Sequence, residues 1–334
     1  MGMEIYADSC HTIDIFPDDV LHLYDSWPSP VVIISDGPYG VAGFPGDPPT
    51  TEGLAEWYLP HVRKWTERST AQTTLWFWGT ELGWARVHPL IEGHGWEYKA
   101  ANIWNKGLPH VAGNSNTRSL RQLPQVTEIC VQYVKKPVFR VAEATMSMKE
   151  WLRYEWERTG LPVSKTNEAC GVKNAATRKY FTRDHLWYAP PDEVFTRLAE
   201  YANQHGNPGG KPYFSVDGCR PMTADEWRRL RPKFYCPLGV TNVWARLPLN
   251  GAERMKDGSR AIHLNQKPID LMQLIIRISS DEGDVVWEPF GGLFSGGVAA
   301  HDLKRSYYGA EISARIFRIG ERRLRDHVLT RRLL

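Results

Sequence analysis

The sequence predicts an α/β fold: a mostly parallel twisted sheet with crossover helices, split by a mainly helical insert. Three observations predict it. Short β-branched and aromatic runs alternate with segments of helical periodicity at both ends of the chain, the pattern of parallel strands joined by crossover helices. Two of those runs, VVIIS (31–35) and DVVW (284–287), end on an acidic residue followed by a proline-aromatic-glycine turn. The alternation also breaks off near residue 140 and returns near 260.

Taken in order, MEIYAD (3–8) reads as a short strand ending on Asp8. PDDVLHLYDSW (17–27) has helical spacing, with Val20, Leu21, Leu23 and Tyr24 on one face. VVIIS is a buried strand. Residues 50–69 open with a Thr cap and become amphipathic, with Pro60 as an interruption or kink. TTLWFWG (73–79) is a buried strand, WARVHPLIEGHG (84–95) a helix with a Gly stop, and 96–106 and 126–136 are further strands.

From about 145 to 258 the chain is helical, irregular and rich in Trp, Pro, Arg and Lys. Its 164–181 stretch reads as a helix, a turn at Cys170-Gly171-Val172 and a second helix from Lys173. That helix would present Lys173, Asn174, Thr177, Arg178 and Lys179, residue types that read base edges and phosphates. The helix that follows carries Val194, Phe195, Leu198 and Tyr201 at core spacing and ends at Gly206. The α/β rhythm then resumes. Residues 267–280 form a helix with Pro268 in its first turn, and DVVW runs into a glycine-rich turn. A helix (296–305), a strand (306–312) and a basic terminal helix (313–329) follow. The expected division is a domain of 1–140 with 260–334, and an insert of 141–259.

Composition narrows the class. The chain has 334 residues, 42% hydrophobic, enough for a core, with a net charge of +3. Five dispersed cysteines without a CxxC pair suggest neither a zinc site nor a disulfide framework, and no metal is expected. No run approaches the roughly 20 apolar residues of a membrane span. With no basic start or long apolar run at the N-terminus, a cytoplasmic protein is expected. The fourteen tryptophans serve mainly core packing, with base stacking as the second reading.

The two acidic strand ends share one logic. Ligands of open α/β sheets bind beyond the carboxyl ends of strands, where a carboxylate can accept hydrogen bonds and glycines let a ligand approach the backbone. A lone instance reads as an ordinary turn. The order Asp36-Gly37-Pro38-Tyr39, then Lys267-Pro268, then Glu288-Pro289-Phe290-Gly291-Gly292, then Glu311, resembles the circularly permuted (beta) class of S-adenosylmethionine-dependent DNA amino-methyltransferases. The resemblance covers roughly 1–136 and 261–325. It implies a Rossmann-like methyltransferase fold and an inserted target recognition region. It implies catalysis by Asp36, Pro38 and Tyr39, and cofactor binding by Asp8, Lys267, Glu288, Phe290, Gly292 and Glu311.

Gly37 stands where the family has proline, Glu288 where it has aspartate, and Leu293 and Phe294 make the cofactor loop bulkier. Asp36 and a backbone carbonyl beside Pro38 would hold an exocyclic amino group with its lone pair toward the methyl donor, with the base flipped out of the duplex and stacked on Tyr39. Arg118 and Arg121, in a Ser/Asn/Thr-rich loop, would touch phosphates. The aspartate of the motif favours adenine N6 over cytosine N4. An RNA or small-molecule methyltransferase and a catalytically weak DNA-binding protein are the other readings. The implied partners are double-stranded DNA, a cognate restriction endonuclease and a second copy of the chain.

Overall fold

The computed structural model describes residues 2–41, 47–111, 119–251, 253–257, 260–263 and 265–332. Its strands are β1 (Met3–Ala7), β2 (Thr12–Phe16), β3 (Val32–Ser35), β4 (Thr74–Gly79), β5 (Trp96–Asn105), β6 (Thr127–Lys135), β7 (Val138–Val141), β8 (Ala144–Ser147), β9 (Val243–Ala245), β10 (Lys256–Asp257), β11 (Arg260–Ala261), β12 (Val285–Glu288) and β13 (Ser306–Ala310). Its helices are α1 (Leu54–Arg68), α2 (Glu81–Gly93), α3 (Met148–Arg158), α4 (Thr166–Ala169), α5 (Asp192–His205), α6 (Ala224–Arg228), α7 (Ile269–Ser279), α8 (Ser295–Asp302) and α9 (Ala314–Arg332).

The chain divides into two compact units, Met1–Lys135 with Pro232–Leu334, and Lys136–Arg231. The described residues within 232–259 therefore pack with the first unit, whereas the sequence placed them in the insert. Among them β9 adds a parallel edge strand to β5, and β10 pairs with β11.

The first unit is one sheet in the order β1-β2-β13-β12-β3-β4-β6-β5-β9. From β2 to β4 its neighbours run parallel; β6 runs antiparallel to both β4 and β5. Strand side chains alternate between two helical layers. Val32, Ile34, Trp76 and Trp78 pack with α7, α8 and α9; Ile33, Leu75 and Phe77 pack with α1 and α2. Burial on both faces explains why these strands read as unbroken apolar runs. Trp27, Trp65, Trp76, Trp78, Trp96 and Trp287 are fully buried, so most tryptophan here is core. Pro60 lies inside α1 without ending it. The expected helix at 17–27 shrinks to one 3-10 turn, Val20–His22, capped by the Asp19 side chain. No helix among the described residues is long and apolar enough to cross a membrane.

The second unit packs α3, α5, α6 and the β7–β8 hairpin around stacked aromatic pairs, Phe139 on Trp151 (4.4 Å) and Phe195 on Trp227 (4.3 Å). The expected second helix from Lys173 does not form. The chain runs irregularly to a 3-10 turn at Thr177–Phe181. Thr177 is buried there, its hydroxyl against that of Thr166 (2.8 Å) and the side-chain amide of Asn167, so it faces inward rather than toward a ligand. Lys173, Asn174 and Arg178 are exposed; Lys179 is half-buried.

Candidate active site

The strand order locates the site. From β12 the chain crosses through α8 to β13 on one side; from β3 it crosses through α1 to β4 on the other. Connections diverging from two adjacent parallel strands leave a crevice at their carboxyl ends. Asp36 follows β3 directly, Glu288 ends β12 and Glu311 follows β13. The three acids of the sequence pattern thus line one edge.

Asp36 sits in a cluster of charge. Lys267 Nζ donates to Asp36 Oδ1 at 2.6 Å, and the Tyr39 hydroxyl lies 2.8 Å from the same oxygen. Glu128 on β6 completes the group: its Oε1 is 2.7 Å from the Tyr39 hydroxyl and 3.1 Å from Lys267 Nζ, while its Oε2 is 2.8 Å from Lys106 Nζ. Burial pushes the Glu128 carboxyl up, but Lys267 and Lys106 outweigh it and hold the pKa at about 2. Burial opposes the Lys267 charge, and Asp36 and Glu128 more than restore it, leaving its pKa raised. Burial, then Asp36 and Glu128, drive the Tyr39 phenol well above its usual range, so it stays protonated. A cavity of about 300 Å³ opens beside the cluster, lined by Tyr39, Trp104, Lys106, Glu128, Asn265 and Lys267 among others.

Gly37 is fixed by its neighbours. A β-carbon there would stand 2.6 Å from the Tyr58 hydroxyl and 2.7 Å from the Phe290 ring. Tyr58 is buried and donates to the Pro38 carbonyl at 3.1 Å, which occupies one of the two carbonyls flanking Pro38. Phe290 packs edge-on to Tyr58 and beside Trp57, tying the turn after β12 to α1.

The turn after β12 is braced from within. Glu288 is buried; its Oε1 accepts the Gly296 N–H at 3.1 Å in the first turn of α8 and its Oε2 accepts the Tyr307 hydroxyl. Burial raises its pKa to about 7. The glutamate therefore fastens the turn from behind, with its carboxyl turned into the protein. Phe294 takes a left-handed conformation (φ 54°), and it and Leu293 are buried, so their bulk enters the core. Arg323 of α9 donates to the Leu293 carbonyl at 2.8 Å and the Ser295 hydroxyl at 3.1 Å. Glu311 accepts the N–H of Gly292 (3.0 Å) and of Ser313 (2.7 Å), which aims its carboxylate along the crevice edge. Burial raises its pKa, and burial followed by the Glu311 charge pushes that of Asp47 up to about 6.

Other expected residues lie elsewhere. Asp8 directly follows β1, and β1 runs antiparallel to β2 while β2 runs parallel to β13. Asp8 thus sits at the sheet edge away from Glu311, closing a turn by accepting the N–H groups of Cys10 and His11. Lys267, expected with the cofactor residues, extends to Asp36. Arg121 is exposed, and Arg118 lies outside the described residues. Glu128, Lys106, Tyr58 and Asp47 were not anticipated. Glu128 alone carried a signal: an acid at the head of the largely apolar run ICVQYV.

Comparison with known proteins identifies the family. A family model described as DNA methylase matches residues 31–322. Type II methyltransferase M.HindIII of Haemophilus influenzae is 34% identical over 169 residues, 51% of this chain and 48% of that protein. A DNA adenine methyltransferase of Escherichia coli K12 is 42% identical over 62 residues, 19% of this chain and 21% of that protein. The chain thus spans about half or less of the curated relatives it matches. A solved structure from Thermus thermophilus, bearing the description DNA modification methylase, aligns with 94% of this chain and 95% of its own at a TM-score of 0.50 and 13% identity, a likeness of fold.

Proposed function

This chain belongs to the DNA methylase family, and on that premise we propose that it transfers the methyl group of S-adenosylmethionine to the exocyclic amino group of a flipped DNA base, adenine N6 foremost. One observation carries the reading. Asp36 stands at the carboxyl end of β3; Lys267 and Tyr39, two residues that line the cavity, both hold its Oδ1, and its Oδ2 is left to receive a ligand.

The cofactor fits the residues present. Glu311, held by two backbone N–H groups, offers lone pairs for ribose hydroxyls at the end of β13. Gly292, at φ 52°, leaves open the space where a side chain would approach the His263 ring, and Phe290 walls the crevice. When bound, S-adenosylmethionine would supply an electrophilic sulfonium methyl, with a neutral thioether as the leaving group.

The chain's own residues prepare the nitrogen. Its lone pair is delocalised into the base, which makes it a poor nucleophile. Asp36 Oδ2 accepts one amino hydrogen. The Gly37 carbonyl accepts the other, since Tyr58 holds that of Pro38. Two acceptors placed this way favour a tetrahedral nitrogen aimed at the methyl, and fixed position contributes to the acceleration. The surplus proton on nitrogen passes to Asp36 and from there to solvent in the cavity. Glu288 acts at one remove, by bracing the turn that bears Phe290 and Gly292.

The adenine preference draws on the aspartate of the motif and on the adenine methyltransferase among the relatives. The unit Lys136–Arg231 would be the target recognition region, with Lys173, Asn174, Arg178 and Lys179 toward the duplex, and Arg121 of the first unit would touch a phosphate beside the flipped base. A cognate endonuclease, a homodimer and a cytoplasmic setting complete the reading, the first supported by a relative named as a type II methyltransferase. The test is incubation with labelled S-adenosylmethionine and unmethylated genomic DNA, then digestion to nucleosides. Labelled N6-methyladenine is expected. Labelled N4-methylcytosine would correct the base, and unlabelled DNA despite intact cofactor binding would overturn the reading.

A further inference from the structure

The cluster around Asp36 holds more than one acceptor needs. Glu128 reaches it from β6, whose antiparallel pairing brings its N-terminal end to the carboxyl end of β4. Tyr39 has one proton and two carboxylates within reach, Asp36 at 2.8 Å and Glu128 at 2.7 Å. Lys267 has three protons and three acceptors: Asp36 at 2.6 Å, Glu128 at 3.1 Å and the Asn265 carbonyl at 3.1 Å. Lys106 ends on Glu128 Oε2. Two carboxylates and two ammonium groups balance, and the contacts to Asp36 all fall on one oxygen.

We propose that Glu128 is a positioning residue of the transfer reaction: by sharing Tyr39 and Lys267 with Asp36, and by holding Lys106, it keeps Asp36 Oδ2 open to the target amino group. The inference rests on the proposed reaction. Its physical basis is the cost of leaving a buried charge without a partner. Without Glu128, Lys106 loses its counter-ion, and Asp36 is the remaining anion of the cluster. Lys106 would turn toward Asp36, and the Tyr39 proton would commit to it as well. A carboxylate with both oxygens engaged by cations is closed to an incoming N–H and is a weaker acceptor. Glu128 is ionised throughout the neutral range, because the two ammonium groups outweigh its burial, so it fills this role at any working pH.

Glu128→Gln keeps the shape and removes the charge. With unmethylated genomic DNA, kcat is expected to fall roughly 10- to 100-fold, the scale of a misplaced reacting group, while the Kd for S-adenosylmethionine and the KM for DNA hold. Glu128→Gln with Lys106→Met also removes the stranded cation, and it is expected to recover a large part of the lost rate. A residue that merely supports the fold would lower the melting temperature and the active fraction, and would leave the kcat of the folded enzyme as it was. Removing a buried pair together is commonly tolerated, so the double variant serves where the single one does not fold; it is then expected to be active at unchanged KM. Wild-type kcat in Glu128→Gln, or a double variant no faster than the single or inactive when folded, overturns the proposal. Wild-type chain that labels no DNA overturns the underlying reaction with it; labelling by the wild type with equal kcat in Glu128→Gln sinks this proposal alone.

Discussion

The missing side chain of Gly37 is filled by the hydroxyl of Tyr58, 2.6 Å from where a β-carbon would stand. Tyr58 is fully buried and its hydroxyl holds the Pro38 carbonyl, so it has little room to yield. The turn that carries Asp36 is thereby set by a contact from α1. Gly37→Ala is expected to force that contact apart. Overpacking of this kind costs about 1–3 kcal/mol, and displacement of Asp36 should lower kcat further than cofactor affinity. Melting temperature, kcat and cofactor titration on the one variant check it. An alanine variant with wild-type melting and rate would mean the turn accommodates the methyl.

Glu288 makes a pH prediction of defined sign. Its folded pKa is about 7, raised by burial from an ordinary value of 4.5. The folded state therefore holds a proton that the unfolded state releases between those values, and this group's contribution to stability declines as pH rises through that window. Glu288→Gln imitates the protonated form at every pH. Near pH 5 the variant should melt close to wild type; near pH 8 it should melt higher, by a margin on the order of 1–3 kcal/mol. Comparing the two proteins at both pH values removes the contributions of Asp47 and Glu311, which titrate in both. A variant that melts lower at pH 8 would refute the assignment.

Arg323 ties α9 to the turn that presents Gly292, through the Leu293 carbonyl and the Ser295 hydroxyl. Arg323→Met keeps most of the side-chain bulk and drops these bonds. Affinity for S-adenosylmethionine should fall roughly 10-fold, in line with about 1.5 kcal/mol for a hydrogen bond from a charged group. Equilibrium binding of the cofactor without DNA reads it, and unchanged affinity would show that the turn holds itself.

What could be read from the residues followed from local rules. Asp36 and Glu311 were legible because an acid at the end of a buried apolar run is unusual and parallel strands put such ends on one edge. Asp8 obeyed the same local rule and failed it in space, since β1 folds back antiparallel on β2. Glu128 was hidden for the converse reason: β6 reverses direction and carries it to Tyr39 from 89 residues away. Only strand order brings them together. At Thr177 a polar residue at plausible helical spacing looked outward, yet the segment takes a 3-10 turn and the hydroxyl satisfies Thr166 and Asn167 instead.

That last distinction gives a test of the second unit. Lys173 and Arg178 are exposed, whereas Thr177 is buried. If Lys173 and Arg178 meet phosphates, Lys173→Ala and Arg178→Ala should each weaken binding to duplex DNA and each flatten the slope of log K against log salt by about 0.9. Melting should be unaffected, because neither side chain packs in the core. Thr177→Val should do the opposite. It removes one hydrogen-bond partner each from buried Thr166 and from Asn167, at a cost of about 1–3 kcal/mol, and leaves the salt slope as it was. Salt titrations by fluorescence anisotropy, alongside melting curves, separate the two behaviours. Unchanged slopes in both charge variants would remove this face from the DNA interface.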